Sequence, residues 1–220
     1  MDFTKVARSA FSCREFTNEP VSDATLHRIF DVARFAPNGG NRQGQRVVVV
    51  RDPAIRQGIV ELCRPAVALY RAQLAVKESP YNTIEPSTVD PVLAPAPVDD
   101  AMLVPYVTAP VLLVIGLDLK VVASTDRDLD RVGVISGASI YPFVWSVLLA
   151  ARAEGLAGVL TTLLASAERE AQELLGLPEH VAVAAAVPLG HPIRRLTTLA
   201  REPVESFTTV DRFDGPPFAP

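Results

Sequence analysis

A chain of 220 residues with 49% hydrophobic content can bury a sizeable core, and its length suits one domain spanning residues 1–220. A formal net charge of -4 excludes the clustered basic excess of a general nucleic-acid or anionic-membrane binder, which leaves a small molecule as the expected partner. Cys13 and Cys63 lie far apart outside any CxxC spacing, excluding a disulfide framework and a thiolate metal site; the start, MDFTKVARSAF, lacks the apolar core of a signal peptide, so a cytoplasmic location is expected.

Along the chain, Leu26, Ile29, Phe30 and Ala33 recur at helical spacing between a capping Ser22 and a blocking Pro37, which predicts a helix over 22–36. The polar turn NGGNRQGQ precedes RVVVVRDP, a β-branched run that reads as a buried strand. From Ala54 to about Lys77 the pattern is helical, with Pro65 expected to kink or split it. Residues 79–110 hold seven of the nineteen prolines and show no sustained period, so an irregular excursion is expected there. It suits a lid over a ligand and a surface packed on a partner subunit equally well. VLLVIGL at 111–117 is a second strand, and the helix over 138–155 is so apolar that it belongs in a core or an interface. Ser166 is placed to cap a helix that ends before Gly176, and VAVAAAVPLG supplies a third strand. The tail from 191 to 220 has no core periodicity and ends rich in Phe and Pro, as an arm gripping another surface would.

His27, His180 and His191 show no metal-ligand spacing, and no GxSxG, P-loop or GxGxxG occurs. Three features carry chemistry. In APNGGNRQ at 36–43 the glycines free the backbone, and Asn38, Asn41 and Gln43 both donate and accept, which suits the edge of a heteroaromatic ring or a plain connecting loop. Arg8, Arg14 and Arg201 lie near the two ends of the chain, as partners for a phosphomonoester or as ordinary surface cations. GLAGVLTTLL at 155–164 is either a segment offering backbone N–H groups and threonine hydroxyls to a ligand or a buried strand.

In this order, SCREFTNEPV at 12–21, AxxAPNGGNRQ ending at Gln43, GASIYPFVWSVLLAARAEGLAGVLTT at 137–162, ELLGLPEHV at 173–181 and VPLGHP running on to Arg201 and Pro203 resemble the nitroreductase family of FMN-dependent oxidoreductases. The resemblance implies an α+β fold, a mixed β-sheet surrounded by helices, and an intertwined homodimer that exchanges C-terminal arms and holds FMN at its interface. It implies that Ser12, Cys13 and Arg14 approach the FMN phosphate and ribityl chain, with Arg201 closing from the tail. It further implies that Asn38, Gly39, Asn41 and Gln43 line the flavin from the opposite subunit, and that the backbone at Leu160, Thr161 and Thr162 faces its N5 and O4. The family often carries an arginine where this chain has Ala10 and a basic residue where it has Leu199, so phosphate neutralisation is thinner unless Arg8 compensates. Gly44-Gln45 stands where the family commonly has Pro-Trp. The implied activity is hydride transfer from NADH or NADPH through the flavin to a small acceptor such as a nitroaromatic or quinone, without a dedicated catalytic acid or base and without a metal. The alternatives are a flavin-dependent oxidase or dehydrogenase of a biosynthetic intermediate, and a flavin-binding protein without turnover.

Overall fold

The structure, a computed structural model, describes residues 2–91, 101–196 and 198–219; Pro95 and Pro97 of the Pro-rich excursion lie outside them. The apolar runs form four strands: β1 (Gln45–Val50), β2 (Val111–Asp118), β3 (Ala157–Gly158) and β4 (Val181–Gly190). Their order across the sheet is β1-β2-β4-β3, and every pairing among them is antiparallel. The parallel component of the expected mixed sheet is one bridge, between Ser12 and Gly158.

Among the described residues six α-helices surround the sheet: α1 (Phe3–Ser9), α2 (Asp23–Ala33), α3 (Pro53–Ala75), α4 (Val104–Thr108), α5 (Tyr141–Ala153) and α6 (Glu168–Leu175). Successive strand residues point to opposite faces. Leu113, Ile115 and Leu117 of β2 therefore join Ala185, Val187 and Leu189 of β4 against α2 and α5. Leu112, Val114, Val183 and Ala186 face the other way, onto Ile59 and Val67 of α3, Tyr106 of α4 and Ala171 of α6. Because both faces are covered, β2 is buried from end to end, which is why its sequence is a continuous apolar run. Between Ile115 and Gly116 the register slips by one residue; a Cβ on Gly116 would stand 2.7 Å from a methyl of Val181, so glycine is required at that bulge.

Local chemistry sets the helix ends. Ser22 Oγ accepts from Thr25 N–H at 3.1 Å, and Asp52 accepts from Ala54 N–H at 2.7 Å ahead of Pro53. α3 runs as one element through Pro65 and is not split there. The start of α6 departs from expectation. Ser166 donates to Leu163 O at 2.7 Å inside a 3₁₀ turn over Leu163–Ala167, and Ala167 occupies the cap position. Glu168 turns its carboxylate to Val183 N–H at 2.7 Å, so the first helical acid is committed to the sheet. The apolar helix over 138–155 also starts later than expected, at Tyr141, after a 3₁₀ turn over Ser136–Ser139.

The Pro-rich excursion is not wholly irregular. Its first part folds back on α3, where Glu78 accepts from Ser87 Oγ and from both the N–H and hydroxyl of Thr88, while Tyr81 donates its hydroxyl to Ala66 O at 3.0 Å. Its last part contains α4, whose Pro105 sits in the first turn where the missing N–H costs nothing. The buried guanidinium of Arg56 fastens that end, donating to Val50 O at 3.1 Å and Ala109 O at 2.6 Å. Beyond β4, the tail pairs Pro192 with Phe16, and Ile193 N–H donates to Glu15 O at 3.1 Å. It closes in a reverse turn that bridges Thr209 to Pro217, leaving Phe207, Phe213 and Phe218 exposed.

Candidate functional site

The site is built where the N-terminal segment lies along the chain that follows α5. Ser12 bridges Gly158 in parallel register, and Cys13 N–H donates to Gly158 O at 3.0 Å. Further along, Thr161 exchanges two backbone bonds with Ala186 of β4, at 3.0 and 2.9 Å, and Val159 N–H reaches Pro188 O. Since N–H directions alternate along an extended chain, Leu160 and Thr162 turn theirs to the opposite edge, and neither amide has a partner among the described residues. That edge is paired at Gly158 by Ser12 and Cys13 and carries no further backbone bond to the N-terminal segment among the described residues.

Two cavities flank this seam. The smaller, of about 90 Å³, is lined by Ser12, Gly158, Trp145, Leu148, Arg152 and Arg201 among others. The larger, of about 650 Å³, holds Arg14, Leu160, Thr161 and Thr162 on one side and Tyr70, Tyr81 and Met102 on another. A cavity of ~300–1,000 Å³ takes a drug-sized or ring-sized ligand, whereas ~90 Å³ is only a few times the ~30 Å³ share of one water molecule and suits a compact group. Pro80, Tyr81 and Met102 place both described arms of the Pro-rich excursion on the wall of the larger cavity.

Of the residues singled out in the sequence, the structure gathers Ser12 with Arg201, and Arg14 with Leu160, Thr161 and Thr162. Arg14 is exposed and makes no hydrogen bond or ion pair among the described residues. Cys13 presents only its backbone here: its thiol packs with Phe16, Ala109 and Ala157 and donates to Glu15 O at 3.3 Å, and burial raises its pKa. Arg8 is exposed in the last turn of α1 and lines neither cavity. The loop carrying Asn38, Gly39, Asn41 and Gln43 also stands away from both. Gln43 N–H donates to Asn38 Oδ1 at 2.8 Å, Gly39 N–H donates to Ser139 Oγ at 3.3 Å, and Asn41 and Gln43 hold the left-handed conformation at φ 54° and 51°. The polar loop is thus preformed, and its residues line neither of the two cavities.

Two neighbours of the seam escaped the sequence reading. Tyr106, fully buried, hydrogen-bonds its hydroxyl to Thr161 Oγ1, so the side chain of the first threonine anchors the seam while its neighbours face the cavity. Burial and the adjacent Cys63 raise the Tyr106 pKa, and burial pushes the Cys63 thiol up to about 12, so both stay protonated at neutral pH. Arg152, near the end of α5, was hidden in a helix read only for its apolar surface; its being a lone cation in that run was the available signal.

Residues 7–191 match the sequence model of the nitroreductase family. A curated relative, the NADH dehydrogenase of Thermus thermophilus, is 28% identical over 205 residues, covering 93% of this chain and 94% of the relative. Among solved structures, nitroreductase A of Vibrio parahaemolyticus superposes with a TM-score of 0.70 at 19% identity, over 96% of this chain and 76% of that one. The NADPH:FMN oxidoreductase of Vibrio harveyi in complex with NAD+ does so with a TM-score of 0.68 at 20% identity, over 96% and 77%.

Proposed function

This chain belongs to the nitroreductase family, and we propose that it is a flavin oxidoreductase that holds FMN along the seam and passes hydride equivalents from NADH or NADPH to a small organic acceptor, a nitroaromatic or quinone. The observation that carries this reading is the pairing of Ser12 and Cys13 with Gly158, which sets a compact cleft lined by Arg152 and Arg201 beside a wide cavity lined by Leu160 and Thr162, whose amides are open. The donor set fits the cofactor. Ser12 and Arg201 offer a hydroxyl and a guanidinium fork to a phosphate, and Arg14 stands at the rim where a ribityl chain or electron-rich ring edge would lie. The open N–H groups of Leu160 and Thr162 suit acceptor atoms of the flavin ring. Bound FMN supplies hydride acceptance and delivery.

The residues of the chain position and insulate. Tyr106 fixes Thr161 from below, so the 160–162 backbone meets its ligand already ordered. Tyr70, Tyr81 and Met102 make the opposite wall apolar and aromatic, which favours flat acceptors and keeps water off the ring face. Neither NADH nor NADPH is favoured by a residue on this wall.

The reading includes a homodimer. The loop 38–43 is ordered yet points away from the cavities of its own chain, Tyr141 and Trp145 leave an apolar stripe of α5 exposed, and the tail ends in exposed phenylalanines. A second copy supplies what each of these lacks: a cavity for the loop, cover for the stripe and a surface for the arm.

Anaerobic mixing of the purified protein with NADH or NADPH tests the assignment. The expected result is a yellow protein whose absorbance bleaches and then recovers on adding a quinone. A yellow protein that stays oxidised would favour an oxidase or a non-catalytic flavoprotein, and a colourless protein that fails to take up FMN would overturn the flavin reading altogether.

A further inference from the structure

We propose that Arg152 is the principal phosphate-binding cation of this chain, seating the FMN phosphate in the small cleft together with Ser12 and Arg201; this rests on the flavin reading above.

The position of Arg152 is fixed by contacts on one side only. Its Nε donates to Ser9 Oγ at 3.0 Å and to Ser9 O at 3.3 Å, and Ser9 Oγ is itself committed as a donor to Lys5 O, which orients the serine lone pair toward the arginine. The terminal guanidinium nitrogens have no acceptor among the described residues. Arg152 lines a cleft whose other polar side chains are Ser12, Arg201 and Trp145, and among the described residues no carboxylate is in that lining. The nearby acid, Glu154, is taken by Arg28 at 2.7 Å, on the outer side of α2. A second cation stands close: Arg195, anchored to Gly155 O at 2.6 Å, lies near enough to lower the Arg152 pKa in addition to the larger effect of burial. Guanidinium groups gathered around a small cleft without a carboxylate repel each other until an anion enters, and a phosphomonoester, with two negative charges and three terminal oxygens, fits that requirement.

The placement also discriminates among the arginines. Arg8 lines neither cavity and Arg14 lines the wide one, so neither shares the small cleft. Arg201 is exposed on the tail and among the described residues is bonded only to the neighbouring Ala200 O. Of the three arginines that line these two cavities, Arg152 alone is bonded to the folded body among the described residues, and a pre-oriented fork loses less freedom on binding than a tail side chain does. The site therefore has a fixed cation on α5 and a closing cation on the arm.

The test compares FMN with riboflavin, which carries the same ring and no phosphate, by fluorescence titration of the flavin-stripped full-length protein. The wild type should bind FMN more tightly than riboflavin. Arg152→Gln should weaken FMN by ~10–100-fold, the range for a hydrogen bond to a charged group, while riboflavin affinity stays within about twofold. Arg152→Lys, which keeps the charge and loses the fork, should fall between, and it decides the matter if the glutamine variant does not fold. An unchanged FMN-to-riboflavin ratio in the folded variants, or equal weakening of both flavins, would overturn the assignment, the latter showing a structural role. A wild type that binds riboflavin as well as FMN would remove the phosphate seat but keep the flavin reading; one that binds neither would remove the flavin reading itself.

Discussion

Arg56→Met perturbs the junction on which one wall of the site depends. The arginine is 9% exposed, and its guanidinium donates to Val50 O at 3.1 Å and Ala109 O at 2.6 Å, with longer contacts to Val107 O and Pro110 O. It thereby ties the ends of β1 and α4 and the entry to β2 onto the first turn of α3. Methionine keeps the apolar stem and the volume but leaves these carbonyls without their donor. A hydrogen bond from a charged donor is worth ~1.5–3 kcal/mol, so the two short ones sum to ~3–6 kcal/mol before relief of the buried charge is counted. Burial already lowers the pKa of this guanidinium, so that relief is real. A net loss of ~2–4 kcal/mol remains, which at ~2–4 °C per kcal/mol for a chain of this length lowers Tm by roughly 4–16 °C. Thermal unfolding by circular dichroism at one fixed protein concentration measures it, with Arg51→Met as control. Arg51 is paired with Asp23 on the surface, where such a pair is worth ~0–1 kcal/mol. If Arg56→Met melts within the range of that control, the arginine is not holding the junction and the account of α4 fails.

Asp126 is 4% exposed and accepts from Val134 N–H, Ser124 Oγ and Arg131, the first two at 2.8 Å, which hold its carboxyl well below the usual carboxylate range. A depressed folded pKa stabilises above the unfolded value of ~3.9 and the contribution is lost as pH falls through the folded value. Asp126→Asn should therefore be less stable than wild type at neutral pH, with the gap narrowing below pH ~4; urea midpoints showing a constant gap from pH 7 downward would contradict this. Gly158→Ala puts a Cβ 2.8 Å from Pro188 O and 3.1 Å from a methyl of Leu148. The carbonyl sits in the sheet and cannot yield, so a loss of ~1–3 kcal/mol and weaker FMN retention are expected, while Gly133→Ala, whose nearest neighbour is 3.9 Å away, should match wild type in both assays.

The elements that were legible in the sequence are those whose signals are local. α2 has its Ser22 cap and apolar spacing, and β2 and β4 have runs too apolar to lie anywhere but between two helix layers. α4 was not legible: five residues carry no period, and its stability comes from Tyr106 buried against α3 and from Arg56, contacts between residues distant in sequence. Ser166 does not cap α6 because a 3₁₀ turn over Leu163–Ala167 takes it in and leaves Ala167 at the cap position, while the carboxylate of Glu168 turns to β4. In the candidate site, motif order put forward residues 12–14 and 160–162, which the structure sets beside two neighbouring cavities, but the role proposed for Arg152 depends on Ser9 of α1 lying against α5, which no spacing along the chain encodes.

The two parts of the seam follow from one property of β structure. An unpaired strand edge exposes a row of donors and acceptors, and proteins cover such edges. Here β4 pairs one edge of 157–161, and the N-terminal segment meets the other at Gly158, whose carbonyl accepts from Cys13 N–H. The chain then leaves, with the amides of Leu160 and Thr162 still open and the wide cavity beginning at that point. On the flavin reading proposed above, a ring with acceptor atoms along its edge would complete the row that the polypeptide abandons, with its phosphate-bearing chain toward Ser12 and the small cleft. The proposed ligand would in this sense continue the sheet, its ring beginning where the N-terminal segment stops pairing with Gly158.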